Sequence, residues 1–245
     1  MLPDSLCSLS FNDLGAEGAA ALAPAIAANA SLTKISLASN PLEEHGTKVI
    51  CDALKSNTIL KELNLNGHSS VGWISTRGAK HVAEMLLVNA SLAKLTLAKN
   101  KLEKYGTKAI CDALKVNKTL KELDLSGDPS IFGSGSNIGG SAEAGAKHVA
   151  DMLGINDSLT VCNLLGNSLD AEAAKLLVAA VHVKDISVCG ITRDRTEADF
   201  SDKSLGHADA VLVASDLSKA GVTASLTSVN PASEFSPTHR SQFAR

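Results

Sequence analysis

Aromatic residues are scarce in this sequence, and a long apolar run is missing from its amino-terminal end. Phe, Trp and Tyr together make up 3% of the chain, so Leu, Ala, Ile and Val must fill the core. The opening residues, MLPDSLCSLSFNDL, have no basic start and no apolar stretch of the length that a signal peptide or a membrane anchor needs. We therefore expect no membrane association and a cytoplasmic location.

A strong excess of charge of either sign is also lacking. The chain has 23 Lys and Arg against 26 Asp and Glu, for a formal net charge of −3. Domains that bind nucleic acid usually carry a marked basic excess. This balance argues against nucleic acid as the partner.

The cysteines form neither a disulfide framework nor a zinc pattern. There are five, an odd number. Cys7 and Cys162 occupy buried strand positions of the repeat described below, and Cys51 and Cys111 occupy small helix positions, so all four are predicted to be apolar fillers in a reducing compartment. The glycines between 133 and 140 do not form a phosphate-binding motif. We expect no cofactor, no metal and no catalytic residue.

What the sequence has in abundance is repetition. SLTKISL (31–37) and GTKVICDAL (46–54) return almost unchanged as SLAKLTL (91–97) and GTKAICDAL (106–114). Each of these blocks has a second half that resembles its first, and these halves begin with ILKELNL (59–65) and TLKELDL (119–125). The structural unit is therefore about half a block.

The chemistry of one unit predicts a short strand followed by a short helix. Leu92, Leu95 and Leu97 have the spacing L-x-x-L-x-L, and Asn100 and Leu102 extend it to L-x-x-L-x-L-x-x-N-x-L. The segment GTKAICDAL then places its apolar residues at helical spacing. Elements this small cannot bury their own apolar faces, so neighbouring units must stack. An α/β solenoid is predicted, and strands about 4.8 Å apart beside wider helices would curve it with the strands inside.

This pattern resembles the ribonuclease-inhibitor-like subfamily of leucine-rich repeat proteins, which also includes Ran GTPase-activating proteins and the sensing arrays of NOD-like receptors. The resemblance implies a horseshoe with a parallel β-sheet on the concave side and helices on the convex side. Its members have unrelated functions. We predict a non-enzymatic scaffold for protein–protein interaction. The alternative is a Ran-type GTPase-activating or other small-GTPase regulatory protein, for which Arg77, Arg193 and Arg195 are the loop-placed arginines.

The repeat pattern predicts one array over residues 1–230 and a disordered tail over 231–245. Pattern and composition both change at Pro231, after which no repeat can be recognised. The predicted units are 4–30, 31–57, 58–89, 90–117, 118–156, 157–182, an irregular stretch 183–196, 197–221 and a partial unit 222–230.

Two units carry insertions between strand and helix, and each insertion contains large apolar side chains. Trp73 lies in the first insertion, and Ile131 and Phe132 lie in the second. Such residues on edge loops are typical anchors of protein interfaces. The alternatives are that they fold back to fill a gap in the core or that they decorate a flexible loop.

The outward residues of the predicted strands are charged. Lys34, Glu62, Lys94 and Glu122 alternate in sign at one position of successive strands, which predicts a stripe that neutralises itself. The alternative is that this concave face binds a protein partner. The predicted partner-binding residues are Trp73, Ile131, Phe132, Lys34, Lys61, Glu62, Lys94, Lys99, Lys121, Glu122 and Asp124, in a protein expected to be a monomer.

One asparagine follows the strand in several units. Asn12, Asn40, Asn100 and Asn167 occupy this position, and His68 and Asp128 replace it in the units with insertions. Asparagine side chains readily satisfy backbone groups in tight turns. We expect the asparagines to turn inward and bond the backbone of their own bend.

Overall fold

Short strands and helices alternate along the chain, one strand and one helix to a repeat. The structure, a computed structural model, describes residues 5–68, 74–132, 142–201, 203 and 205–230. The strands are β1 (Leu6–Ser8), β2 (Lys34–Ser36), β3 (Glu62–Asn64), β4 (Lys94–Thr96), β5 (Glu122–Asp124), β6 (Val161–Asn163), β7 (Glu197–Asp199) and β8 (Ser228–Asn230). The helices are α1 (Gly15–Ala28), α2 (Glu43–Ser56), α3 (Thr76–Val88), α4 (Glu103–Leu114), α5 (Ala142–Ile155), α6 (Ala171–Val181), α7 (His207–Leu217) and α8 (Ala220–Thr223).

The first six strands form one parallel sheet in chain order, β1 to β6. Parallel neighbours need a crossover connection, and each of the helices α1 to α5 provides one. The register aligns equivalent repeat positions: Lys34 lies beside Glu62, Glu62 beside Lys94, and Lys94 beside Glu122. The α/β leucine-rich repeat solenoid predicted from the sequence is confirmed.

The core is a continuous layer between this sheet and the helices. One row along it consists of Leu37, Leu65, Leu97 and Leu125, each at most 3% exposed. Ile110 and Leu114 of α4 are fully buried, as their helical spacing predicts. In the described part of the chain no helix combines the length and the apolar character needed to cross a bilayer.

Asn12, Asn40 and Asn100 bond carbonyl groups of their own bends, as expected, and Asn40, Asn100 and Asn167 also reach into the preceding repeat. The side-chain nitrogen of Asn100 donates to the carbonyl oxygen of Leu97 at 2.8 Å within its own bend and to that of Leu65 in the preceding repeat at 3.0 Å. Its oxygen accepts from the amide of Ile74 at 2.8 Å. Asp128, at the equivalent position, accepts from the amide of Leu102 at 2.9 Å, and burial raises its pKa.

A second row of asparagines holds the opposite turn, between each helix and the next strand. Asn117 donates to the carbonyl oxygen of Leu86 at 2.8 Å, and its own oxygen accepts from the amides of Thr119 and Leu120 at 3.0 and 2.9 Å. The last carbonyl groups of a helix, such as that of Leu86, lack hydrogen-bond partners within the helix. Asn57, Asn89 and Asn156 make the same set of bonds in their repeats.

A lysine takes over this role where the pattern becomes irregular. The Lys184 ammonium donates to the carbonyl oxygens of Leu153, Gly154 and Asn156 at 3.1, 2.8 and 3.0 Å. These are the end of α5 and the preceding asparagine of the row. Lys184 therefore continues the backbone bonding after asparagine has been lost.

The carboxyl-terminal repeats leave the sheet. Ser187 forms an isolated parallel bridge with Val161 of β6, and no helix follows before β7. Strand β7 pairs with β8 in a separate two-stranded parallel sheet. The predicted tail 231–245 lies outside the described residues.

We predict that Gly106→Ala destabilises the array although alanine favours helix. A Cβ atom at Gly106 of α4 would lie 2.8 Å from Cβ of Ala79 and 3.1 Å from Cα of Thr76, both on α3. Backbone would have to move, at a cost of about 1–3 kcal/mol. The matched control is Gly154→Ala in α5, where no atom lies within 4 Å. It should stabilise by up to about 1 kcal/mol. Urea denaturation measures both, and a gain in stability for Gly106→Ala would contradict the close packing of α3 and α4.

We predict that Asn117→Ala lowers the free energy of unfolding by about 3 kcal/mol, because it leaves several buried backbone groups without partners at about 1–3 kcal/mol for each. Asn12→Ala is the control, since Asn12 bonds only Leu9 and Ser10 of its own exposed turn. It should cost under about 1 kcal/mol. Equal shifts of the thermal midpoint in the two variants would contradict a larger contribution of the helix-side asparagines to stability.

Candidate protein-binding surface

The strand face is defined here as the outward side chains of β1 to β6, on the side of the sheet opposite the helices, together with Lys61, Lys99 and Lys121 beside the strands. Lys34 bonds Glu62 at 3.0 Å, and Lys94 bonds Glu122 at 2.8 Å. The strand register brings each pair together, as the alternating charges predicted. These side chains are 29–40% exposed, so each pair contributes only about 0.2–1 kcal/mol.

Three further lysines of this region are exposed. Lys61 and Lys121 precede β3 and β5, and Lys99 follows β4. None of the three forms a salt bridge with a described residue. Lys61 and Lys121 lie two strand steps apart on one edge, which corresponds to about 10 Å. Asp124, the remaining predicted residue of the face, is part-buried and accepts from the amide of Ser126 at 2.9 Å.

The backbone around the lysines is fixed by the sheet. The amides of Lys61 and Lys121 donate to the carbonyl oxygens of Thr33 and Ala93, each at 2.8 Å. The amide of Lys99 donates to Ser126 at 2.9 Å, and Lys99 has a positive φ of 56°. Their ammonium groups therefore extend from a rigid frame.

The second insertion corrects the sequence prediction for its apolar residues. Ile131 and Phe132 are 0% and 1% exposed and belong to the core. A Cβ atom at Gly145 of α5 would lie 2.7 Å from the oxygen of Ile131 and 2.9 Å from Cα of Phe132, so these two residues pack directly on this helix. They fill the core, which was the alternative left open, and cannot anchor a partner. Trp73 lies outside the described residues.

A cavity of about 250 Å³ lies at the β6 end of the strand face. Residues of β4, β5 and β6 line it together with residues 189–192, 195, 200 and 203. Gly190, with a φ of +85°, packs against Asn163, since a Cβ atom there would lie 3.1 Å from Cγ of Asn163. The charged residues that line the cavity are Lys94, Glu122, Asp124, Arg195 and Lys203.

A buried carboxylate fixes the wall of this cavity. Oδ2 of Asp216, on α7, accepts from the hydroxyl of Ser187 at 2.7 Å and from the amides of Val188 and Cys189 at 2.8 and 2.9 Å. Its other oxygen lies 3.3 Å from the ammonium of Lys219. Asp216 is fully buried, so these bonds hold the start of the wall firmly.

Sequence reasoning did not find this cavity. It identified residues 183–196 as an irregular stretch, and that is the signal that could have located it. The position of this stretch against the strand face could not be predicted, because it depends on the contact between Asp216 and residues 187–189, which are distant in sequence.

Two features of the described residues bear on catalytic chemistry. Within that part of the chain no group of three His, Cys, Asp or Glu residues could hold a metal ion. Burial raises the pKa of the Cys51 and Cys111 thiols to about 12, so both are protonated at neutral pH. Arg77 pairs with Glu44 at 3.4 Å, whereas Arg195 lines the cavity several repeats away.

Comparisons with known proteins agree with this architecture. A family model described as Leucine Rich repeat matches residues 8–23. The human NACHT, LRR and PYD domains-containing protein 13 is 33% identical over 174 residues, which cover 71% of this chain and 15% of the relative. The Bos taurus protein 5 of the same name is 29% identical over 167 residues, which cover 67% of this chain and 14% of the relative. The chain thus spans a small part of these relatives.

A solved structure, titled as leiomodin-1 actin-binding site 2, overlaps with a TM-score of 0.48 at 19% identity, over 60% of this chain and 78% of that one. The family assignment does not depend on it. It depends on the repeated leucine and asparagine pattern, the parallel sheet with one helix to a strand, and the sequence matches. On these grounds the chain is a leucine-rich repeat protein.

Proposed function

We propose that this chain is a non-catalytic protein-interaction domain whose strand face binds the acidic surface of a protein partner. The observation that carries the proposal is the set of exposed lysines Lys61, Lys99 and Lys121, which have no carboxylate partner among the described residues. The other strand-face lysines, Lys34 and Lys94, are engaged by Glu62 and Glu122. The face therefore has a local positive excess in a chain of net charge −3.

Rigid display is the mechanism. Because the sheet and the two rows of asparagines fix the backbone, the lysines lose little conformational freedom of the main chain when a partner binds. The paired residues Lys34, Glu62, Lys94 and Glu122 surround them and set the local charge pattern. Complementary charge mainly raises the association rate and the specificity, so binding should weaken as salt rises.

Two further features belong to this proposal. Trp73 would add an aromatic anchor at the edge of the array, as its insertion predicts. The described cysteines are all free, and four of them are buried, which supports action in a reducing compartment such as the cytoplasm. We place the domain there as a monomer.

The test is affinity capture with charge-reversed variants. We predict that Lys61→Glu with Lys121→Glu reduces capture of the partner at least tenfold, because two attractive contacts become repulsive. The control is Lys118→Glu with Lys147→Glu, which makes the same charge change at exposed lysines outside the strand face. Circular dichroism should show unchanged helix content for both.

Equal loss with both double variants would contradict the strand-face assignment. Trp73→Ala, measured alone, tests the edge anchor separately. A GTPase turnover assay with the captured partner distinguishes the regulatory alternative, because acceleration of GTP hydrolysis by the intact chain would favour a Ran-type activator over a binding domain.

A further inference from the structure

The cavity at the β6 end of the strand face arises from a departure from the repeat. After α6 the chain forms a single bridge at Ser187 with β6 and then turns through Gly190 without forming a helix before β7. In every repeat with a complete strand–helix unit the chain crosses to the helix side of the sheet at this point. Here residues 189–195 instead approach the strand face and enclose it from one side.

The size of the cavity selects for a side chain. Its volume of about 250 Å³ lies below the ~300–1,000 Å³ typical of sites that enclose a whole small-molecule ligand. Lys94 and Thr96 of the strand face are among its lining residues. A single side chain that projects from a partner chain fits this space.

The charge of the lining selects for an anion. Lys94, Arg195 and Lys203 contribute three positive charges, and Glu122 and Asp124 contribute two negative charges, for an excess of one positive charge. Glu122 is bound by Lys94 at 2.8 Å. Neither Arg195 nor Lys203 forms a salt bridge with a described residue. Two exposed carboxylates outside the lining interact electrostatically with these cations, Asp194 with Arg195 and Lys94 and Asp199 with Lys203. Among the lining residues themselves, one carboxylate would balance the charge.

The lining also offers contacts for the stem of such a side chain. Phe200 is 5% exposed, and the Lys203 ammonium lies 5.4 Å from the centroid of its ring. Thr96, Asn163 and Thr192 add polar groups around the opening. The cavity therefore combines an apolar wall, hydrogen-bonding groups and two cations that form no salt bridge with a described residue, the combination expected of a specificity pocket.

We propose that this cavity binds an aspartate or glutamate side chain of a partner peptide, with Arg195 and Lys203 as the groups that contact the carboxylate. The proposal rests on the proposed function, since it assigns the pocket within the surface that an acidic partner covers. Beyond the general attraction between the lysines and an acidic partner, it assigns one site at which a single carboxylate side chain is recognised. Asp216 acts as a positioning residue, because it holds residues 187–189 in place.

The probe is a fluorescein-labelled hexaglutamate peptide with blocked termini, and hexaglutamine and hexalysine are its matched controls. Fluorescence anisotropy at about 0.15 M salt, where the Debye length is about 8 Å, limits long-range attraction. We predict binding of hexaglutamate alone. Arg195→Gln with Lys203→Gln should weaken it at least tenfold, and Lys118→Gln with Lys147→Gln should leave it unchanged.

A substitution that leaves the charge unchanged distinguishes binding in the cavity from a general electrostatic attraction to the surface. Thr192→Trp and, independently, Thr96→Trp should fill the cavity and weaken hexaglutamate binding as strongly as the loss of both cations does. Thermal unfolding identifies any variant that does not fold, and the other one then decides. Absence of hexaglutamate binding, unchanged affinity in a folded Trp variant, or equal losses in the Arg195/Lys203 and Lys118/Lys147 variants would each overturn the proposal.

Failure of the cavity and failure of the proposed function give different results. If Lys61→Glu with Lys121→Glu abolishes partner capture while Arg195→Gln with Lys203→Gln affects neither capture nor peptide binding, the strand face stands and the cavity is refuted. If the strand-face variant leaves capture intact while hexaglutamate still requires Arg195 and Lys203, the cavity stands and the proposed partner surface is refuted.

Discussion

Hydrogen bonds between repeats are the constraint on which the rest of this structure depends. Each repeat bends twice, once after its strand and once after its helix, and each bend leaves backbone groups that the repeat alone cannot satisfy. At the first bend Asn100 supplies a hydrogen-bond donor to the carbonyl oxygen of Leu65 in the preceding repeat. At the second bend Asn117 supplies a donor to the carbonyl oxygen of Leu86. The buried leucines then exclude water between neighbouring repeats. The hydrogen bonds and the burial of leucines therefore require the same stacking of repeats, and this stacking fixes the register of the strands.

This stacking determines what the strand face can do. Because the register aligns equivalent positions, a charge placed at one position of the repeat meets its counterpart in the next one. Lys34 and Lys94 are neutralised in this way, whereas Lys61 and Lys121 alternate with Ala93 and remain available. The regular repeats leave the strand face open. Residues 189–195 depart from the repeat, and so they can line a cavity on that face.

Much of the fold could be predicted because the repeat pattern is local and is repeated many times. The strand-side asparagines were predicted with their inward orientation, but the helix-side row of Asn57, Asn89, Asn117 and Asn156 was missed. Its signal was present, since each asparagine precedes the first leucine of a repeat. Ile131 and Phe132 show the limit of such reasoning. Whether these residues project into solvent or pack on the core depends on the space beside Gly145 of α5. The sequence pattern does not reveal how much space there is. The position of Arg195 depends likewise on contacts between segments far apart in the chain.

The account is tested most directly by measuring which lysines a bound partner protects. Lysine acetylation rates, read by mass spectrometry in the free chain and in the captured complex, report each ammonium group separately. The account predicts that Lys61, Lys99 and Lys121 become slow to react in the complex, while Lys118 and Lys147 keep their rates. Protection of Lys118 and Lys147 with unchanged rates at Lys61, Lys99 and Lys121 would contradict it, because the partner would then bind outside the strand face.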